Sequence, residues 1–225
     1  MASRIIAIGD PHGCSKALDA LLKACEPRQD DTVVVMGDFI DRGEDVPGVI
    51  DQLLALSETC DLIPLMGNHE EMLLGILGGQ FADLAPWLSF GGKETLEGYG
   101  ATTPWEIPPE HVQFMQSCRY WAEMDHHFFV HANYNERKKF PKMDATTLLW
   151  ESLPQRMPGP HRSGKKAIVG HTSQKNGEIL NLGYLLCIDT FCYGGGWLTA
   201  IDLTSGAFWQ ADVNGRIREA EEPPS

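Results

Sequence analysis

Three short glycine-bracketed segments constrain this chain more than any other feature: Gly9-Asp10-Pro11-His12-Gly13, Gly37-Asp38-Phe39-Ile40-Asp41-Arg42-Gly43 and Gly67-Asn68-His69-Glu70. They recur at intervals of about 30 residues, the length of one βαβ unit. An apolar, strand-like run precedes each of them, at 4–8, 32–36 and 62–66. Helical patterning follows each, at 15–24, 46–56 and 70–77, so the first half reads βαβαβα. Ser15 is placed to cap the first helix, whose Leu18, Leu21, Leu22 and Cys25 form one apolar stripe, and Asp45 is placed to cap the second. In a parallel sheet with right-handed crossovers, strand ends on the same edge meet at one crevice. The three segments are therefore expected side by side.

From 81 to 125 the pattern changes to aromatic-rich helical pieces broken by Gly91-Gly92, Gly98, Gly100 and Pro104, which reads as an inserted helical cap. Trp87, Phe90, Trp105, Phe114, Tyr120 and Trp121 admit two readings, the lining of a substrate groove or ordinary core packing, and burial tendencies favour the core. Strand patterns return at 127–132, 167–170, 178–181, 184–189, 197–202 and 207–212, with short turns that predict antiparallel hairpins. A parallel first half and an antiparallel second half give an α/β fold, a sandwich of two mixed β-sheets flanked by helices. Residues 1–218 are expected to form a single domain, with 219–225 a charged, proline-rich, frayed tail.

Chain length and an ordinary balance of 43% hydrophobic and 22% charged residues over 225 positions exclude a disordered class. The net charge of −13 repels phosphate backbones, so no nucleic-acid partner is expected. No run of about 18 uncharged apolar residues is present, so no membrane partner is expected either. Met1-Ala2-Ser3-Arg4 leads straight into a strand pattern instead of a signal peptide, which predicts a cytoplasmic protein. Six scattered cysteines without a C-x-x-C pair are expected to be reduced and buried, although Cys14 lies beside the first segment.

The segments carry Asp10, His12, Asp38 and Asn68, the carboxylate, imidazole and amide-oxygen donors that divalent cations of intermediate hardness take. Asp10 and His12 are two residues apart and can face the same way at a strand end, and Pro11 favours the extended backbone this needs. Asp38 can bridge two ions, one on each carboxylate oxygen. His131 and His171 each end an apolar run and are placed to serve a second ion, whereas His111, His126, His127 and His161 lack such context.

These segments closely resemble the hallmarks GDxHG, GDxxDRG and GNHE of the phosphoprotein phosphatase branch of calcineurin-like metallophosphatases. Phe129-Val130-His131-Ala132 and Val169-Gly170-His171-Thr172 are similar to that family's later metal-binding stretches. The resemblance implies that Asp10, His12 and Asp38 hold one ion and that Asp38, Asn68, His131 and His171 hold the other. Two divalent ions are implied, manganese first, with iron, zinc, cobalt and magnesium as alternatives, and they would activate a water for in-line attack without a phosphoenzyme. Arg42 and Asn68 would bind the substrate phosphate, and His69, oriented by Asp41, would protonate the leaving group.

Two positions depart from the family pattern. Asn133 stands where glycine is common, which a left-handed backbone would accommodate. The second phosphate-binding arginine is missing after Leu148-Leu149-Trp150, which leaves Arg162, Arg156 or none, and Arg162 is carried forward. The implied activity is phosphomonoester hydrolysis on a phosphoprotein or a small phosphoester, with protein phosphoserine or phosphothreonine first. Symmetrical dinucleoside tetraphosphate hydrolysis is the alternative, in a branch that tends to GNHD where this chain has Glu70, and a non-catalytic phosphate-binding module comes third.

Overall fold

The computed structural model describes residues 3–80 and 82–218. The expected tail 219–225 lies outside them. The first half alternates as its pattern requires: β1 (Ile5–Ile8), α1 (Ser15–Cys25), β2 (Thr32–Val35), α2 (Val46–Ser57), β3 (Asp61–Pro64) and α3 (Asn68–Leu77). Three short helices follow, α4 (Ala85–Trp87), α5 (Lys93–Tyr99) and α6 (Pro109–Gln116), with a π-helical turn, Leu88–Gly92, joining the first two. The second half holds β4 (Trp121–Glu123), β5 (His127–Val130), α7 (Ala145–Leu149), β6 (Lys166–Val169), β7 (Leu180–Asn181), β8 (Leu185–Cys187), β9 (Leu198–Asp202) and β10 (Phe208–Ala211).

The strands form two five-stranded mixed sheets, in the orders β10-β9-β1-β2-β3 and β4-β5-β6-β8-β7. The first sheet pairs β1, β2 and β3 in parallel, with β9 and β10 added antiparallel at the β1 edge. The second half is not the antiparallel set its short turns predict, because β5, β6 and β8 run parallel. Only β4 and β7 run antiparallel at the edges of that sheet. The β7–β8 and β9–β10 hairpins form as expected, but they end in different sheets. β4, in a stretch expected to belong to the helical cap, pairs with β5 instead.

Side-chain alternation explains why the strands read as continuous apolar runs. Ala7, Val34, Phe129, Ile168, Leu186 and Ile201, drawn from both sheets, share one buried cluster, which lies between the sheets. Their neighbours Ile6, Ile8, Val33, Val35, Phe128 and Val130 belong to a second, larger cluster with the helices. Both faces of these strands are thus buried, as a sandwich with outer helices demands. On α1, Leu18, Leu21 and Cys25 are buried as the stripe requires. Ser15 does not cap that helix: Cys14 occupies the cap, and the Ser15 hydroxyl donates to Asp45 Oδ2 at 2.5 Å. Asp45 caps α2, accepting from the Gly48 N–H at 3.0 Å.

Candidate active site

Five parallel strands deliver side chains to one edge. Asp10 and His12 follow β1, Asp38 follows β2, Asn68 and His69 open α3 just past β3, His131 directly follows β5, and His171 follows β6. All are at the carboxyl ends of their strands, where the crevice of an open α/β sheet forms. The backbone is forced there: His12, Asp38, Asp41, Arg42 and His171 all have left-handed φ, between +40° and +73°. Such strain persists only when surrounding contacts hold it.

Glu70 supplies much of that hold. Its fully buried carboxylate accepts from the N–H groups of Gly67 (3.0 Å), Asp38 (2.9 Å), Phe39 (2.8 Å) and Ile40 (3.2 Å). Burial and the Asp38 charge push this carboxyl up to about 7, while the N–H donors favour its ionised form. Its position three residues after Gly67, as in a helix capping box, was the sequence signal for this role.

Asp38 sits at the centre. Its Oδ2 is 3.4 Å from His12 Nε2, 3.4 Å from His131 Nε2 and 3.9 Å from His69 Nε2. The Asn68 amide oxygen lies 3.1 Å from His131 Nε2 and 2.9 Å from His171 Nδ1. The His171 N–H donates to Asp10 Oδ2 at 2.7 Å, and His131 Nδ1 is 3.8 Å from the same oxygen. Gly170 permits this approach, since a Cβ there would collide with the Asp10 carboxylate. Two donor groups result, His12–Asp38–His69 and Asp38–His131–His171, with Asp38 common to both.

The surroundings fit cations. His12 Nδ1 donates to the Ile40 carbonyl (2.9 Å), His131 Nδ1 to that of Met36 (2.7 Å) and His171 Nε2 to that of Trp150 (3.2 Å). Those bonds orient the rings and turn the other nitrogen of each toward Asp38 or Asn68. Asp10 Oδ1 is buried with no hydrogen-bond partner. Burial opposes charge on His131, yet Asp38 and Asp10 hold it protonated up to about 10. Burial would raise Asp38, but His131, His69 and His12 keep it well below the usual carboxylate range. Burial lowers His171 to about 4. Oxygen and imidazole donors in this mixture suit divalent metals.

His69 Nδ1 is 2.6 Å from Asp41 Oδ2, and its buried Nε2, without a hydrogen-bond partner, faces the cluster. Arg42 Nη1 donates to His12 Nε2 at 2.9 Å, and its guanidinium lies 4.6 Å over the Tyr193 ring. A cleft of about 530 Å³ opens beside Arg42, lined also by Phe90, Lys93 and Tyr193. An apolar cavity of about 600 Å³, lined by Met72, Ile76, Trp87, Phe90 and Trp150, adjoins it at Phe90. Of the aromatics read as groove or core, Trp87 and Phe90 border these spaces and Phe114 is buried in the core. Trp121 stacks on Phe140, and Trp105 is 62% exposed.

Arg162 is not brought to this cluster: its exposed guanidinium meets the Arg137 carbonyl at 3.3 Å. Arg156 is tied to Glu136, Glu151 and the Tyr134 carbonyl. Asn133 does not use a left-handed backbone; its buried amide donates to the Arg156 carbonyl and accepts from the Tyr134 N–H. The six cysteines are free and buried. Among the described residues, no helix is long and apolar enough to cross a membrane.

A sandwich with a carboxylate shared by two imidazole groups at its strand edge defines the class of dinuclear metal-dependent phosphoesterases. The family model of the calcineurin-like phosphoesterases matches residues 3–198, and the chain belongs to that family. It is a phosphoester hydrolase. The Salmonella typhimurium protein named serine/threonine-protein phosphatase 1 is 31% identical over 204 residues, covering 85% of this chain and 88% of that one. A symmetrical bis(5'-nucleosyl)-tetraphosphatase from Paraburkholderia phymatum is 32% identical over 78 residues, 35% of this chain and 27% of its own length. The fold also matches a solved cold-active protein tyrosine phosphatase, with a TM-score of 0.69 at 18% identity over 99% of this chain and 80% of that one.

Proposed function

We propose that the protein is a phosphomonoesterase acting on phosphoserine or phosphothreonine in proteins. The observation that carries the reading is Asp38, shared between two donor groups, with Arg42 and the His69–Asp41 pair beside it. Asp10, His12 and Asp38 would hold one divalent cation, and Asp38, Asn68, His131 and His171 the other. When bound, two such ions supply charge for phosphoryl oxygens and lower the pKa of a nucleophilic water. Manganese suits the mixed nitrogen and oxygen donors. Arg42 presents a planar fork to the phosphate, assisted by the Asn68 amide. His69, its Nδ1 proton directed to Asp41, donates from Nε2 to the departing alkoxide. We read residues 1–218 as one catalytic domain with the helices α4 to α6 as its cap, and the free, buried cysteines agree with the cytoplasm.

The protein substrate is favoured by similarity to a serine/threonine phosphatase along most of both chains. Dinucleoside tetraphosphate hydrolysis is the second reading, supported by the shorter match to tetraphosphatases. The deciding experiment measures turnover of a phosphoserine peptide and of diadenosine tetraphosphate side by side, on metal-stripped and manganese-reloaded protein. The expected result is metal-dependent turnover with the peptide preferred. A strong preference for the dinucleotide would overturn the substrate, and full turnover of the metal-free protein would overturn the two-metal chemistry.

A further inference from the structure

We propose that Trp87, Gly91 and Thr95, in the helices inserted between β3 and β4, are positioning residues that aim the reactive groups of the sheet edge. Resting on the reading of His69 as proton donor, the proposal concerns what fixes the direction of that donor. Asp41 is fully buried, and its carboxylate receives the Thr95 hydroxyl on Oδ1 at 2.6 Å. The Trp87 indole N–H lies 3.1 Å from both of its oxygens. In return the Asp41 N–H donates to Thr95 Oγ1 at 2.9 Å. One residue on, the Arg42 N–H donates to the Gly91 carbonyl at 3.3 Å. Three residues spaced four apart thus grip two consecutive residues of the second motif.

A carboxylate has about four lone-pair sites, and their occupants decide which way the rest point. With Trp87 and Thr95 in place, Asp41 Oδ2 is turned to His69 Nδ1 at 2.6 Å, and the far nitrogen of that ring must face the metal cluster. Without them the buried carboxylate can rotate, and the imidazole loses its fixed direction. Misplacement of a reacting group by about 1 Å can cost about 10²-fold in rate. Gly91 acts on the neighbour: its φ is +117°, and a Cβ there would lie 2.6 Å from the Arg42 nitrogen and 2.8 Å from Arg42 Cγ. Only glycine lets the inserted segment approach Arg42 so closely.

The test compares Thr95→Val, Thr95→Ser, Trp87→Phe, Gly91→Ala and His69→Ala as full-length, manganese-loaded proteins. Turnover is measured with p-nitrophenyl phosphate, whose leaving group needs little protonation, and with a phosphoserine peptide, whose alkoxide needs it fully. Trp87→Phe and Thr95→Val should lower kcat on the peptide about tenfold or more, within the roughly 10²–10⁴ that general acid assistance provides. On p-nitrophenyl phosphate they should change it less than about threefold. Thr95→Ser, which keeps the hydroxyl, should recover the peptide turnover, and Gly91→Ala should raise KM on both esters.

For Thr95→Val and Trp87→Phe, equal losses of kcat on both esters, or no loss on either, overturn the proposal, and so does an unchanged KM for Gly91→Ala. So does loss of bound metal from Thr95→Val and Trp87→Phe, which would make these residues supports of the cations instead. His69→Ala separates the two levels. A loss confined to the peptide there, without one in the cap variants, removes only this inference. An equal loss on both esters there removes the proton-donor role itself.

Discussion

Replacing Glu70 with glutamine tests whether the strained loop after β2 is held by a single side chain. Glu70 Oε2 accepts from the Gly67 and Asp38 N–H groups at 3.0 and 2.9 Å, and Oε1 from those of Phe39 and Ile40 at 2.8 and 3.2 Å. Glutamine keeps one oxygen, so in either amide orientation an NH₂ group faces two buried N–H donors. Each donor left unsatisfied costs about 1–3 kcal/mol, which gives about 2–6 kcal/mol for the pair. Typical domain stability is only about 5–15 kcal/mol. Urea unfolding at fixed manganese, repeated on the metal-free protein to remove the contribution of binding, reads this loss directly. Turnover should fall with it, because Asp38 takes its left-handed φ of +52° in this loop. Glu70→Asp keeps both oxygens on a side chain one methylene shorter and should fall between native and Gln. An unfolding free energy for Gln within about 0.5 kcal/mol of native, the range of an ordinary surface substitution, would refute the reasoning.

Three further outcomes follow from the same geometry. Gly170→Ala drives a Cβ into the Asp10 carboxylate, so bound metal measured by elemental analysis should fall while far-ultraviolet circular dichroism stays native; unchanged metal content counts against Asp10 as a ligand. Arg42→Lys replaces a planar fork with a point charge, so KM for p-nitrophenyl phosphate should rise more than kcat falls; an unchanged KM would remove Arg42 from phosphate binding. Asp31, though burial opposes its charge, is held at about 2 against an ordinary 3.8 by the Arg4 side chain and by the Arg4 and Arg28 N–H groups. A depressed carboxyl stabilises the fold above about pH 4, and that share, about 2 kcal/mol, is lost as pH falls toward 2. Asp31→Asn should flatten stability against pH across that window, as followed by thermal melting; an unchanged slope would contradict it.

The three motifs, their strands and their helices were legible because each is local. Apolar runs of strand length, helical stripes and glycine punctuation depend on neighbours within a few residues, and β1 through α3 fall within about two residues of where the pattern puts them. The second half of the chain was harder to read. Short turns correctly marked the β7–β8 and β9–β10 hairpins, yet β9 pairs with β1 nearly two hundred positions away, and no turn chemistry encodes that partner. Likewise β4 lay hidden in an aromatic stretch, because a three-residue strand at a sheet edge carries almost no periodicity.

At the site, residue order alone set which donors this chain offers and that the first three segments would meet, since parallel strands with regular crossovers end on one edge. It did not determine what aims those donors. Glu70 reaches back to four backbone N–H groups, Trp87 and Thr95 reach Asp41 from 46 and 54 positions away, and Arg162 turns to the Arg137 carbonyl instead of the cluster. Chemistry follows residue type and local spacing, which sequence carries. Aim follows hydrogen bonds between segments far apart in the chain, and these exist only once packing has excluded water and left each buried polar atom to the neighbours that the fold supplies.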